Sequence, residues 1–267
     1  MSLTLDAVAH DGGVDQREEA REAKMDKHGE VKVNVDTVLL TLKEVDVEVV
    51  KDGVTEIVKE DRLHVALARR EVQHENGKLA LVGAIMDGNK DADLEAVVRR
   101  SLRDKAGLEG IYFEQLYTFS GKNNKRGKAR DTRWPSISVT YIALVPLSKL
   151  LASDALSHGL TLVEVDKVPA LPFDHNDMIE AAVSRLRGKG AWSVLPAYLL
   201  EEEFTLPQLN AVYTRVVGNT SLGQNFRRKV IEAGMLESTG FKPTPGAFRK
   251  AEHFRIKPGV NTIDTRL

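Results

Sequence analysis

Val82-Gly83-Ala84-Ile85-Met86-Asp87-Gly88, followed by Asp91-Ala92-Asp93-Leu94 and running on to Arg99-Arg100-Ser101-Leu102-Arg103-Asp104-Lys105-Ala106-Gly107-Leu108, is the stretch that decides the fold. It reads as a glycine loop opening a helix. Leu94, Val97, Val98 and Leu102 recur at helical spacing and mark an apolar face, and Asp91 or Asp93 is available as N-cap. Upstream, Val31–Leu42 and Leu63–Arg69 run apolar or alternate with β-branched residues, as strands do, and Leu79–Val82 leads into the loop. Downstream, Ile111–Phe119 and Ile137–Val145 are two more strand-like runs. Strand, loop, helix, strand in this order predicts an α/β (α+β) sandwich around a mixed sheet.

The loop and helix resemble a Nudix box: a glycine loop, a helix with an Arg-Glu pair, two further glutamates and a glycine-apolar stop. Aligned on Gly107-Leu108, the arginine of that pattern falls on Arg100 and its glutamates on Ser101, Asp104 and Lys105. Ala84 replaces a loop glycine, and the upstream glutamate has no clear match. Magnesium takes near-octahedral oxygen ligation from carboxylates, phosphates and water, so Asp104 alone makes a thin site, and the Lys105 cation makes it thinner. The resemblance thus implies a pocket that holds a nucleotide but cleaves it poorly, with no catalytic or metal-ligating residue assigned and no cofactor required. The alternative is an active Nudix hydrolase acting on ADP-ribose-like nucleoside diphosphate derivatives with acids recruited from outside the box.

Composition bounds the remainder. The chain has 267 residues, 42% of them hydrophobic, enough for one large domain or two smaller ones. Cysteine is absent, which excludes disulfides and thiolate metal sites and agrees with a reducing cytoplasm. No apolar run approaches the roughly 18 residues needed to cross a bilayer, and the polar start is no signal peptide, so a soluble intracellular protein without a membrane partner is expected.

The net charge of -1 conceals an uneven spread. Residues 1–30 hold eight acids and four bases and read as a mobile arm or a solvated helix. Residues 219–257 hold eight bases and three acids, a basic end suited to a polyanion. Residues 120–133 hold six bases and one acid. They either close over phosphates or form a solvated hairpin tip, with Arg130 and Arg133, nearest the following strand, the better phosphate ligands. Phe173-Asp174-His175 opens a helix with Met178, Ala182, Val183 and Leu186 on one face, capped by Asp174 or Asn176 and ending near Gly188-Lys189-Gly190. His175, with no metal-ligating neighbours at the right spacing, is expected to make a structural hydrogen bond. A domain boundary is expected near Leu195-Pro196, dividing residues 31–195 from residues 196–267.

In the second part, Thr205-Leu206-Pro207-Gln208 is a capping box whose helix buries Leu209, Val212, Tyr213 and Val216 before Gly218 stops it. Ser221-Leu222-Gly223-Gln224 is a second capping box, and its helix turns Leu222, Phe226 and Val230 inward until Gly234. Ser221, Gln224, Asn225, Arg227, Arg228 and Lys229 are left for base edges and phosphates in a major groove. A turn over Thr239–Gly246 and a strand Ala251–Ile256, with Phe254 and Ile256 inward, complete a winged helix, with Arg249 and Lys250 at the approach to the wing. One copy would contact few base pairs, so a homodimer on a two-fold operator is expected.

From about Asn34 onward the chain resembles the Nudix-related transcriptional regulators of NAD metabolism. The resemblance rests on the box ending Leu102-Arg103-Asp104-Lys105-Ala106-Gly107-Leu108, on Tyr112–Phe119, and on Arg130-Asp131-Thr132-Arg133 before Ser138-Val139-Thr140-Tyr141. Phe173-Asp174-His175, Phe204–Pro207 and Asn225–Lys229 extend it. It implies a dimeric repressor of NAD biosynthesis or salvage genes that binds double-stranded operator DNA and senses ADP-ribose or another NAD-derived nucleotide. That effector is placed against Gly83, Arg100, Asp104, Arg130 and Arg133 and the start of the helix at Asp93.

Overall fold

The spine of the molecule is a 20-residue strand, β1 (Lys32–Lys51), around which the other strands of the larger sheet assemble. The computed structural model describes residues 30–123, 127, 130–153, 159–190, 193–218, 226–243 and 250–260. The chain divides into two units, Met1–Val31 and Lys32–Leu267. The charged arm expected over residues 1–30 lies outside the described residues, save Glu30.

β1 pairs with β2 (Val54–Arg69) and β4 (Val82–Ile85) antiparallel and with β6 (Ser136–Leu144) parallel. β3 (Leu79–Ala80) and β7 (Leu160–Glu164) add to β2, and β5 (Tyr112–Phe119) adds to β6, giving a mixed seven-stranded sheet. Both faces of its centre are covered, which is why the sequence there reads as apolar runs. Val38, Leu40, Val65, Leu67, Ile142 and Leu144 point to one side; Val35, Leu39, Ala66, Val82, Tyr141 and Ala143 point to the other. The second side packs on α1 (Leu94–Ala106) through Val97, Val98 and Leu102 and on α2 (Leu147–Ala152) through Leu150. The first packs on α3 (His175–Gly190) through Met178, Ala182, Val183 and Leu186.

The larger sheet departs from the expected bounds in two ways: Val82–Ile85, read as part of the glycine loop, is strand β4, and β1 and β2 run longer than expected. β1 and β2 continue past Leu42 and before Leu63 as a hairpin ladder running from Lys43↔Arg62 to Lys51↔Val54. Asp52 and Gly53 close it at φ 52° and 79°, the left-handed pair that a two-residue hairpin turn requires. This segment is held by its ladder rather than by burial, since Val50 and Ile57 are each 71% exposed.

The carboxyl-terminal part forms a three-stranded sheet, β8 (Phe204–Thr205), β10 (Ala251–Ile256) and β9 (Leu236–Lys242), with α4 (Leu206–Val217) and α5 (Phe226–Glu232). Thr205 closes the capping box on α4: its hydroxyl accepts from the Gln208 backbone N–H while the Gln208 side chain accepts from the Thr205 N–H. β9 runs through Thr239-Gly240-Phe241-Lys242, where a turn was expected. The ladder absorbs the glycine, which sits at φ 97° beside a register shift between His253 and Phe254. Residues 244–249 and the second capping box, Ser221–Gln224, lie outside the described residues.

Leu206, Leu209 and Tyr213 of α4 enter the core of the smaller sheet with Val194, Ala197, Val230, Met235 and Phe254, whereas Val212 and Val216 enter the core beneath α3. The 3-10 turn Leu195–Leu199 is shared in the same way, with Leu195 and Leu199 in one core and Ala197 in the other. No helix among the described residues is long and apolar enough to cross a membrane.

Candidate functional site

A cleft of about 500 Å³ opens over β4, between the end of α1, the start of α3 and the segment before β6. Its lining includes Asp36, Arg70, Gly83, Asp104, Lys105, Arg130, Arg133, Phe173 and His175. Four of the five residues expected to hold a nucleotide therefore meet here: Gly83, Asp104, Arg130 and Arg133.

Arg100 does not line the cleft. Its guanidinium grips the buried carboxylate of Asp91 with two bonds of 2.7 Å and reaches the Ile85 carbonyl at 3.2 Å. Asp91 also accepts from the Asp87 backbone N–H at 2.8 Å, so the pair ties the glycine loop to α1. The Arg100 bond, then the Asp87 N–H, pull the Asp91 carboxyl down to about 2. The N-cap of α1 is Asp93, whose carboxylate accepts from the Ala96 N–H at 2.7 Å. α1 meets the cleft through its last turn, Asp104 and Lys105, rather than through its positive end.

Gly83 stands opposite Asp36 in the β1–β4 ladder, and a Cβ on it would lie 2.5 Å from the Val35 carbonyl oxygen and 2.7 Å from Asp36 Oδ1. Only glycine lets these strands approach so closely. Its carbonyl accepts a bond from Lys105 Nζ. Asp36 accepts from Ser138, but burial prevails and raises its carboxyl to about 6. His175 accepts the Leu81 N–H on Nδ1 at 3.2 Å, so its Nε2 carries the proton and lies 3.7 Å from Asp36 Oδ1. Burial keeps the imidazole neutral, lowering it to about 3. The structural hydrogen bond expected of His175 is thus present, on a residue that also lines the cleft.

Arg130 is buried against Asp174 in an ion pair and donates to the Ser136 carbonyl at 3.1 Å. That contact engages the carboxylate expected to cap α3, while the Asn176 side chain is used by the Leu171 N–H and the Pro169 carbonyl. Arg133 pairs with Asp131 at 2.8 Å and lies 4.2 Å over the Trp134 ring. Phe173, a bulky residue held at φ 58°, has Arg70 5.0 Å and Arg133 5.7 Å from its ring centre. Neither Arg70 nor Phe173 was expected to line the site, because the two meet only in the fold; Phe173 was legible only at the start of a helix and in the family resemblance.

The donor set does not suit a magnesium ion. Ser101 is buried with its hydroxyl donating to the Val98 carbonyl at 3.0 Å, Asp104 is exposed and bonded to Arg103, and Lys105 places an ammonium on the cleft floor. Among the described residues no three acidic or histidine side chains form a metal-holding group.

α3 links the cleft to the second core. It starts with His175 and ends at Gly190, whose Cβ position would be 3.0 Å from both Pro196 Cγ and Val217 Cγ2. The Ser193 hydroxyl donates to the Lys189 carbonyl at 2.8 Å, and the Ser193 carbonyl accepts from the buried Tyr213 hydroxyl on α4. Lys189 and Arg185 of α3 also bind Glu114 on β5, beside a stack of Tyr112 on Tyr198 with ring centres 4.0 Å apart.

Of the residues expected to touch DNA, Arg228 is exposed on α5, within 3.9 Å of Glu232, and Lys250 is exposed just before β10. Arg227 and Lys229 lie on α5, but their side chains are outside the described set, as are Ser221, Gln224, Asn225 and Arg249 entirely.

Residues 196–256 match the NrtR DNA-binding winged helix domain. The ADPR responsive transcriptional repressor NtrR of Acinetobacter baylyi is 30% identical over 202 residues, 74% of this chain and 78% of that protein. The crystal structure of Shewanella oneidensis NrtR complexed with a 27mer DNA aligns at 32% identity with a TM-score of 0.71, covering 88% of this chain and 97% of that one. A MutT/nudix family protein from Enterococcus faecalis shares the fold at 19% identity and a TM-score of 0.61, over 92% and 99% of the two chains. With its Nudix fold and carboxyl-terminal winged helix, this chain belongs to the NrtR family of transcriptional regulators.

Proposed function

We propose that the protein is a transcriptional repressor that binds operator DNA with its winged helix and holds ADP-ribose, or a closely related NAD-derived nucleotide, in the cleft beside Gly83. Genes of NAD biosynthesis or salvage are its targets, and it works in the cytoplasm as a homodimer on a two-fold site. The relatives support the two ligands: one is named as ADPR responsive, the other was crystallised on a 27mer DNA. The observation that carries the reading is α3, whose first residue lines the cleft and whose last residues press on the first turn and first helix of the winged module. A nucleotide that favours one position of α3 then favours one position of the module, and a coupling of about 1 to 3 kcal/mol changes DNA affinity roughly 5 to 150-fold.

In the cleft, Arg130 and Arg133 are already committed to Asp174 and Asp131, so they orient and screen rather than neutralise. Arg70, which lies against Phe173 and forms no ion pair among the described residues, is a free cation for phosphate. On the DNA side, Gln224, Asn225, Arg227 and Arg228 read bases, while Ser221, Lys229, Arg249 and Lys250 hold backbone phosphates. Incubation with Mg²⁺ and ADP-ribose, run beside a mobility shift on promoter DNA, tests the reading. The expected result is negligible turnover and a DNA shift that ADP-ribose alters; rapid turnover without DNA binding would make the protein a hydrolase.

A further inference from the structure

We infer that Lys105 stands in for the divalent cation of a Nudix site, so that this cleft takes the pyrophosphate group as a metal-free dianion balanced by Lys105 and Arg70. The inference rests on the nucleotide reading above and specifies how that site is charged. Lys105 occupies a helix position where the box it resembles carries a glutamate, and its ammonium turns onto the cleft floor, donating to the Gly83 carbonyl. The neighbouring box positions offer a cation little: Ser101 is turned into its own helix, and Asp104, the one box carboxylate at the cleft, accepts a bond from Arg103. A doubly charged ion entering here would meet the Lys105 ammonium and the Arg70 guanidinium with few oxygens to hold it.

Asp36 attracts both of these cations through space, but no carboxylate among the described residues bonds to either. Neither forms an ion pair among the described residues; Lys105 binds a carbonyl, and Arg70 donates to the His74 carbonyl at 3.3 Å and stacks on Phe173. Partial desolvation against the cleft wall depresses both, a cost that a phosphate oxygen would relieve. Arg130 and Arg133 do not share this property, because each already has its carboxylate. The compact lysine ammonium, with three donors, can serve both the Gly83 carbonyl and a phosphate at once.

Calorimetric titration of the full chain tests this, with ADP-ribose in EDTA and in Mg²⁺, and with inorganic pyrophosphate in EDTA. ADP-ribose affinity should agree within about twofold with and without metal, and Lys105→Ala should weaken both ligands about tenfold or more in EDTA, with Lys105→Arg retaining most of the affinity. Thermal unfolding of the two variants alongside the parent shows that the fold is kept. Binding that needs Mg²⁺, or undiminished binding by Lys105→Ala, would overturn the assignment while leaving the nucleotide reading intact. Lys105-dependent binding of pyrophosphate without any binding of ADP-ribose would uphold the assignment and sink the ADP-ribose reading instead.

Discussion

The cleft and the winged module solve opposite problems. The cleft gathers charged and aromatic groups from six separate stretches of chain and leaves two of its cations outside any ion pair among the described residues. The winged module folds around Phe204, Leu209, Tyr213, Val230, Met235 and Phe254, and its charged residues stay outside, as in Lys242 with Glu203 and Arg255 with Glu237. One region holds cations that no ion pair among the described residues engages, the other pairs its charges at its surface. α3 and α4 join them through a short polar link, Lys189 to Ser193 to Tyr213.

The contrast is broken most severely at Arg130. Arg130→Met leaves Asp174 buried without its counter-charge, and the loss should be about 3 to 5 kcal/mol, read as a lowered midpoint in urea unfolding. If the cleft were a solvated surface loop instead, the change would be below about 1 kcal/mol. Tyr213→Phe comes next. It deletes the hydroxyl that satisfies the Ser193 carbonyl, which should cost about 1 to 3 kcal/mol and also reduce the effect of ADP-ribose on DNA affinity. A stability loss with unchanged coupling would show that the link is only structural.

Two neighbours in the cleft, Asp36 and His175, predict a pH signature. Asp36, raised to about 6, stabilises the fold below its usual pKa and loses that contribution as pH rises toward 6. His175, lowered to about 3, stabilises above its usual pKa and loses that contribution as pH falls from 6.5 toward 3. Between about pH 4 and 6 the two slopes, each about 1.4 kcal/mol per pH unit, oppose one another. Asp36→Asn should therefore make the protein markedly more acid-labile in that window, and His175→Gln should reverse the trend. Parallel stability curves for both variants would show that neither group titrates as its burial dictates. The smallest effect on stability should come from Arg228→Ala, within about 0.5 kcal/mol, although operator affinity falls by about 1 to 3 kcal/mol and discrimination at the contacted base is relaxed.

Legibility in the sequence follows the same division. α1, α3 and α4 could be read because their apolar spacing and caps are local: Asp93, Gly107, Thr205 with Gln208, and Gly218 all perform as their residue types suggest. Ladders are harder, because a strand half exposed to water has no continuous apolar signal. The hairpin over Lys43–Arg62 was passed over although Asp52-Gly53 marks its turn, and β9 was cut short at a glycine that serves as a bulge. In the cleft, basic residues near phosphate-like motifs could be named, but not which of them are already neutralised. Arg130 meets a carboxylate 44 positions away, Arg100 is spent on the loop, and Arg70 gains its position only through Phe173. Charge counts along a chain cannot see pairing across a fold.

The central claim is that the occupied cleft and the DNA-bound winged module favour the same or opposed positions of α3. Titrating ADP-ribose into the free protein and into the protein saturated with operator DNA measures this directly. Reciprocity requires the two ADP-ribose affinities to differ by the factor by which ADP-ribose changes DNA affinity, roughly 5 to 150-fold. Identical affinities in the two titrations would contradict the account.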